Sequence, residues 1–366
     1  MKSIGITGAE GFLGWHVRAY LHSQGIAAVC ATRATFVKSD KLAEFVGQCD
    51  VIIHLAGMNR GDDAEIERTN VALTEQLIST CVVTGRCQHI LFSNSTHVAT
   101  RDTAYARSKR ACAGLLQQWA DNQGTIFNNL ILPQIFGEGG RPFYNSAVST
   151  FCHQLAVGDT PKIIQDADLE LLHAQRAAEY IYQLIGQAKS GEARPAGVAL
   201  TVTELLHKLS EAKDFYTAQL IPPLQDSFEL DLFNTYRAYL FPQHYPESLL
   251  RREDERGSLF EAVKSLHGGQ CFISSSKPGV TRGDHYHRHK IERFLVLSGE
   301  ATIRVRKLFS QEVADFSVSG ARPQYVDMPT LHTHNITNTG AGELVTLFWS
   351  HEIFDPAQPD TYMETV

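Results

Sequence analysis

A chain of 366 residues with 43% apolar and 20% charged residues has material for two cores and the ordinary balance of a globular protein. Its net charge of -7 argues against a general nucleic-acid or membrane-surface binder, and no apolar run approaches the roughly 20 residues of a membrane span. Seven cysteines, at 30, 49, 81, 87, 112, 152 and 271, form no CxxC pair, and no signal-peptide pattern opens the chain; a reducing compartment and a cytoplasmic location are expected.

Residues 1–6 read as a short apolar strand, followed by Thr7-Gly8-Ala9-Glu10-Gly11-Phe12-Leu13-Gly14 and a helical pattern over 15–23. In that strand–turn–helix setting Gly8 permits the tight turn, Gly11 lets backbone N–H groups approach a pyrophosphate, and Gly14 allows close helix–strand packing. The helix N-terminus then faces the phosphates, which points to a dinucleotide. A second strand over 26–31 ends at Arg33, where a carboxylate would select a ribose 2′-hydroxyl. The guanidinium fork suits a 2′-phosphate, so NADP is expected over NAD; the alternative is a solvated surface arginine.

A strand over 50–57 ends in His54-Leu55-Ala56-Gly57, small enough to lie against an adenosine. A helix is expected over 70–84, then a strand over 89–95 ending in Ser93 and Ser95. Either hydroxyl has the spacing to bond a substrate carbonyl, and either could cap the strand. Tyr105 and Lys109 sit one turn apart on a helix that continues through residue 120. A nearby ammonium favours phenolate, so a lowered tyrosine pKa is expected, tuned for passing a proton to a carbonyl oxygen. A surface Tyr–Lys pair is the bland alternative. With a further strand over 125–132, alternating strands and helices imply a parallel sheet covered on both faces.

These pieces resemble the extended short-chain dehydrogenase/reductases, a Rossmann-fold α/β family that includes sugar-nucleotide epimerases, dehydratases and reductases. The resemblance implies a catalytic set of Ser95, Tyr105 and Lys109. It also implies cofactor contacts from Gly8, Gly11, Phe12, Leu13, Gly14, Arg33, Leu55, Ala56, Gly57, Ser93, Tyr105 and Lys109. Where relatives carry Arg-x-x-Asn, this chain has Ile131-Leu132-Pro133-Gln134.

Residues 147–155, 170–188 and a stretch from 203 read as helices, and 141–146 opens a segment expected to close over substrate. The Pro-containing run 241–247 breaks the pattern and marks a boundary, giving domains 1–245 and 246–366. Short strands with turn signals follow, near 256–263, 269–274, 294–297, 301–305, 324–327 and 343–349, the texture of a β-sandwich or barrel.

Within it lie His285 and His287, then Glu292, and later His334. Three imidazoles and a carboxylate make a plausible shell for zinc or another divalent transition metal. The GxHxH…E…G and PxxxxHN patterns resemble the cupin superfamily, a jelly-roll fold whose metal ligands would be these four residues. A metal-free pocket using a histidine as general base is the alternative; His289 and His332 are read as bystanders.

The whole chain resembles the bifunctional capsular-polysaccharide enzymes that fuse such a reductase to a cupin. Further matches are Tyr144-Asn145-Ser146, Arg256-Gly257-Ser258, Ser276-Lys277-Pro278-Gly279 and the tail 354–362. The resemblance implies NADPH, zinc, a homodimer and a UDP-2-acetamido-2,6-dideoxy-hexos-4-ulose substrate contacted by Asn145. The cupin would epimerise C3 and the reductase would reduce C4, giving UDP-N-acetyl-6-deoxy-L-talosamine on a route to UDP-N-acetyl-L-fucosamine. The alternative is a reductase whose cupin only binds or dimerises.

Overall fold

The structure, a computed structural model, describes residues 2–255 and 257–366, so Arg256 lies outside the described residues. Strand β1 (Ile4–Thr7) is buried throughout and turns into α1 (Phe12–Ser23). Next come β2 (Val29–Ala31), α2 (Arg33–Val37), α3 (Ser39–Gly47), β3 (Val51–His54), α4 (Asp63–Thr84), β4 (His89–Ser95), α5 (His97–Thr100), α6 (Ala104–Gln123), β5 (Ile126–Leu132) and β6 (Gln134–Phe136). The middle of the chain holds α7 (Ala147–Ala156), β7 (Asp168–His173), α8 (Ala174–Gln187), β8 (Gly191–Ala193), β9 (Val198–Thr201), α9 (Val202–Thr217), β10 (Leu220–Ile221) and α10 (Ser227–Leu240).

From there the chain is strands: β11 (Glu247–Ser248), β12 (Arg252–Asp254), β13 (Gly257–Leu259), β14 (Lys264–Ser265), β15 (Gln270–Ser276), β16 (Thr281–Tyr286), β17 (Glu292–Ser298), β18 (Glu300–Lys307), β19 (Val313–Ser319), β20 (Gln324–Met328), β21 (His332–Asn338), β22 (Leu344–Ser350) and β23 (Tyr362–Met363). They divide between two compact units, Met1–Phe136 with Asp168–Leu200, and Gly137–Ala167 with Thr201–Val366.

In the first unit the parallel sheet runs β2-β1-β3-β4-β5-β8. Its central strands are apolar on both faces because helices cover both. Ile4, Ile6, Val51, Ile53 and Leu91 join α1 and α8 in one core, while Ile52, Ile90, Phe92 and Phe127 join α4 and α6 in another. The strand order reverses between β1 and β3, and the crevice beyond their carboxyl ends is where such sheets bind ligands.

Two helical expectations change, and one helix was not expected. The helix expected from Asn70 begins at Asp63, because Asp62 caps it by accepting the Glu65 N–H. Residues 170–173 are strand, not helix: Leu169 and Leu171 alternate with exposed neighbours, and β7 pairs in parallel with β6. Helix α10 gave no apolar stripe to read, since the side it buries includes Asp231, Asn234, Thr235 and Arg237.

In the second unit two five-stranded antiparallel sheets, β11-β20-β17-β22-β15 and β19-β18-β21-β16-β23, form the β-rich region. Phe294, Val296, Val326 and Phe348 from one meet Ile303, Val305, Phe316 and Ile336 from the other. Helices α9 and α10 are fastened to the same unit. Arg293 grips Asp327 through two bonds of 2.7 and 2.9 Å, Tyr216 donates to that carboxylate, and Arg237 donates to the Met328 carbonyl at 2.9 Å.

Candidate active site and metal centre

The glycine turn has the geometry its spacing implies. Gly8 has φ +69, and a Cβ there would lie 2.8 Å from the Ala56 nitrogen. A Cβ on Gly14 would lie 2.1 Å from the Gly8 carbonyl oxygen, so only glycine lets α1 pass this close. Gly11 precedes α1, no side chain caps that helix, and Phe12 and Leu13 form its half-buried first turn. Arg33 is exposed at the first position of α2, just past β2.

Thr7 ties this turn to the next. Its hydroxyl accepts the N–H groups of Leu55 and Ala56, each at 3.2 Å. Its own proton therefore goes to His54 Nδ1 at 2.7 Å, which leaves the imidazole proton on Nε2, 3.3 Å from the Thr74 hydroxyl. Burial, and then the Lys109 charge, push His54 down to about 3, so it is neutral. Neither Thr7 nor Thr74 was singled out from the sequence; only the fold brings them to His54.

Helix α6 presents Lys109 inward. Its Nζ donates to the Ser93 carbonyl at 2.6 Å and reaches the Ser93 hydroxyl at 3.5 Å. It stands 4.5 Å from the Phe92 ring centre and 5.7 Å from that of Tyr105. A Cβ on Gly57 would lie 4.0 Å from that nitrogen, so the 55–57 turn abuts the lysine. Ser95, at the end of β4, accepts the His97 N–H at 3.3 Å. The structure thus separates the two serines that spacing left equivalent: Ser93 contacts Lys109, and Ser95 lies one pleat further along.

Asn70 locks this arrangement from α4. It accepts the Met58 N–H at 2.6 Å and donates to the Met58 carbonyl and the Ser108 hydroxyl, both at 2.9 Å. Ser108 in turn donates to the Tyr105 carbonyl at 2.9 Å. From the sequence Asn70 read as the first residue of its helix, where asparagine is common, so nothing local marked it.

The expected lowering of the tyrosine pKa does not hold. Burial pushes Tyr105 up to about 12 and Lys109 down to about 8. The ammonium is committed to Ser93, and desolvation of the phenolate outweighs its attraction.

In the second unit Asn145 is exposed, one residue before Ser146, which caps α7 by accepting the Ser149 N–H at 3.1 Å. Among the described residues one group of potential metal donors converges: His285, His287, Glu292 and His334, with ligand atoms within 4.8 Å of one another. His285 is the next-to-last residue of β16, His334 faces it on the paired strand β21, and Glu292 opens β17 in the other sheet. Glu292 Oε2 lies 3.7, 2.9 and 3.5 Å from the Nε2 atoms of His285, His287 and His334.

The donor chemistry fits a divalent ion. His287 Nδ1 donates to the Asp360 carbonyl at 2.6 Å, and His334 Nδ1 to the His332 carbonyl at 3.1 Å. That tautomer turns both Nε2 lone pairs inward. Both Nε2 atoms are buried without an aligned hydrogen bond, despite their nearness to Glu292. Burial lowers His287, but the Glu292 carboxylate outweighs that and raises it, so its Nε2 gives up a proton when an ion binds. Burial raises Glu292 and the protonated His287 lowers it, with the net well below the usual carboxylate range. Burial holds His334 down at about 4, a neutral ligand. His332 is buried against Phe241, and His289 Nδ1 lies 3.6 Å from Asp231.

Two family models match the chain. Residues 4–196 match the NAD dependent epimerase/dehydratase family, and residues 252–362 the polysaccharide biosynthesis C-terminal domain. A UDP-2-acetamido-2,6-beta-L-arabino-hexul-4-ose reductase of Pseudomonas aeruginosa is 32% identical over 365 residues, 98% of this chain and 97% of that one. The crystal structure of the capsular polysaccharide assembling protein CapF from Staphylococcus aureus is 33% identical, with TM-score 0.65 and full coverage of both chains. A UDP-N-acetylglucosamine 4-epimerase from Bacillus cereus, 23% identical with TM-score 0.53 over 58% of this chain and 82% of that one, shares the fold. The chain belongs to the NAD dependent epimerase/dehydratase family, in the two-part form that CapF represents.

Proposed function

We propose that the protein is a sugar-nucleotide 4-keto reductase that uses NADPH, and that its C-terminal β-domain, a cupin, first epimerises C3 of the same substrate. The substrate is a UDP-2-acetamido-2,6-dideoxy-hexos-4-ulose, and the product UDP-N-acetyl-6-deoxy-L-talosamine, a precursor of UDP-N-acetyl-L-fucosamine. The observation that carries the reading is Lys109, buried one helical turn from Tyr105 and touching both Ser93 and the 55–57 turn.

In this reading the Gly8–Gly14 turn and the α1 N-terminus hold the pyrophosphate, and Arg33 the 2′-phosphate. The nicotinamide, when bound, supplies hydride to C4. Ser95 donates a hydrogen bond to the ketone oxygen, and Tyr105 delivers the proton. Its raised pKa keeps the phenol protonated at neutral pH, the form a reduction consumes, and an alkoxide is basic enough to take that proton. Lys109 then stabilises the phenolate left behind. Asn145 is a substrate contact.

His285, His287, Glu292 and His334 would hold a zinc or similar ion, which, when bound, supplies Lewis acidity. A hydrogen next to a ketone is acid because its loss gives an enolate, and polarising the ketone oxygen stabilises that anion. We further propose a homodimeric, cytoplasmic protein. The test is one incubation with UDP-4-keto-6-deoxy-HexNAc and NADPH in heavy water, read by NMR. NADPH consumption with deuterium at C3 is expected. Reduction without C3 exchange would leave the cupin as a binding module only, and no NADPH consumption would end the reductase reading.

A further inference from the structure

His285 lies on β16 and His287 one residue past its end, yet groups that hold them come from much later in the chain. Strand β23 pairs antiparallel with β16, setting Met363 opposite His285 and Tyr362 opposite Tyr286. The two tyrosine rings stack at 5.2 Å. Beyond them the Glu364 N–H bonds the Asp284 carbonyl at 2.9 Å, and Arg306 binds the Glu364 carboxylate at 3.1 Å.

Asp360 grips the loop between two of the four donors. Its carbonyl accepts a hydrogen bond from His287 Nδ1–H. Its carboxylate accepts the backbone N–H groups of Arg288, His289 and Lys290 at 3.1, 2.8 and 2.8 Å. Those three residues are the bridge from His287 towards Glu292. Asp360 does this from φ +42, a conformation that side chains other than glycine, asparagine and aspartate seldom adopt. Lys290 closes the contact by donating to the Pro359 carbonyl at 2.6 Å.

We infer that the C-terminal segment 359–364 is a positioning strap for the four-donor centre, with Asp360 as its positioning residue. The inference rests on the reading of that centre as a metal site. One carboxylate satisfying three successive N–H groups fixes the loop backbone, and the adjoining carbonyl fixes the tautomer and aim of His287. Groups in this outer position alter metal affinity by about 10- to 100-fold when removed.

The experiment uses the full chain with Asp360→Ala and Asp360→Asn. Zinc affinity is measured by competition with a chromogenic chelator, cobalt(II) absorption reports coordination geometry, and thermal unfolding of the metal-free proteins reports stability. The expected result is a loss of at least about tenfold in zinc affinity for Asp360→Ala, with a changed cobalt spectrum. Asp360→Asn, which keeps one acceptor oxygen, should fall in between. Zinc affinity within about twofold of the parent in both variants overturns the strap, even if metal-free stability falls. If only Asp360→Asn folds, the same criterion applies to it; if neither folds, the segment is a folding element and the proposal falls. A parent chain that takes up no zinc overturns the metal reading itself, an outcome distinct from a parent that binds and variants that bind equally.

Discussion

Burial moves Tyr105 and Lys109 in opposite directions: the phenol up to about 12 and the ammonium down to about 8. Both shifts disfavour charge in a dry site, and together they keep the proton on the tyrosine. Replacing Tyr105 with Phe should lower kcat by about 10²- to 10⁴-fold, a far larger effect than on NADPH affinity, measured by NADPH absorbance and by fluorescence titration. The lysine shift has a stability consequence. The unfolded chain protonates this lysine below pH 10.5, the folded chain only below about 8. Between those values the unfolded state holds more protons, so stability rises with pH across that window. The full shift corresponds to about 3 kcal/mol. Lys109→Met should abolish this part of the rise, read as the difference between parent and variant urea midpoints at about pH 7 and about pH 10.

Helix α1 shows how one element depends on a missing atom. A Cβ at position 14 would meet the Gly8 carbonyl at 2.1 Å, and backbone cannot yield as a side-chain tip can. Gly14→Ala should therefore cost about 1–3 kcal/mol, seen as a lowered midpoint, and weaken NADPH binding by more than about tenfold as the turn opens. Local signals announced this element, and those of β4 and α6, because each is written within one turn or one pleat. Strand β7 and helix α10 were hidden for a physical reason. Residues 170–173 run directly into α8, so a helical period could be extended backwards over them. Helix α10 instead buries polar groups whose partners, such as the Met328 and His289 carbonyls, lie far along the chain.

At the scale of the molecule, α9 and α10 belong to the same compact unit as the β-rich region. The Arg293–Asp327 pair is fully buried, and Tyr216 of α9 shares its carboxylate. Asp327→Ala would leave a buried guanidinium unpaired, at a cost of about 3–5 kcal/mol. Hydrogen exchange should then show protection falling together over 202–240 and 292–349, with 4–132 unaffected; loss confined to the strands would refute the coupling. What the sequence determined alone is whatever a short spacing can encode: a glycine turn leading into a helix, a tyrosine and lysine on one face, and four donors of metal-binding type. What only the tertiary structure decided are the pairings across tens or hundreds of residues: which serine meets Lys109, how burial keeps His54 neutral while Thr7 sets its tautomer, and that Asp360 grips the loop after His287. The reason is that spacing fixes direction along one helix or strand, whereas desolvation and hydrogen-bond partners depend on which distant segments exclude water there.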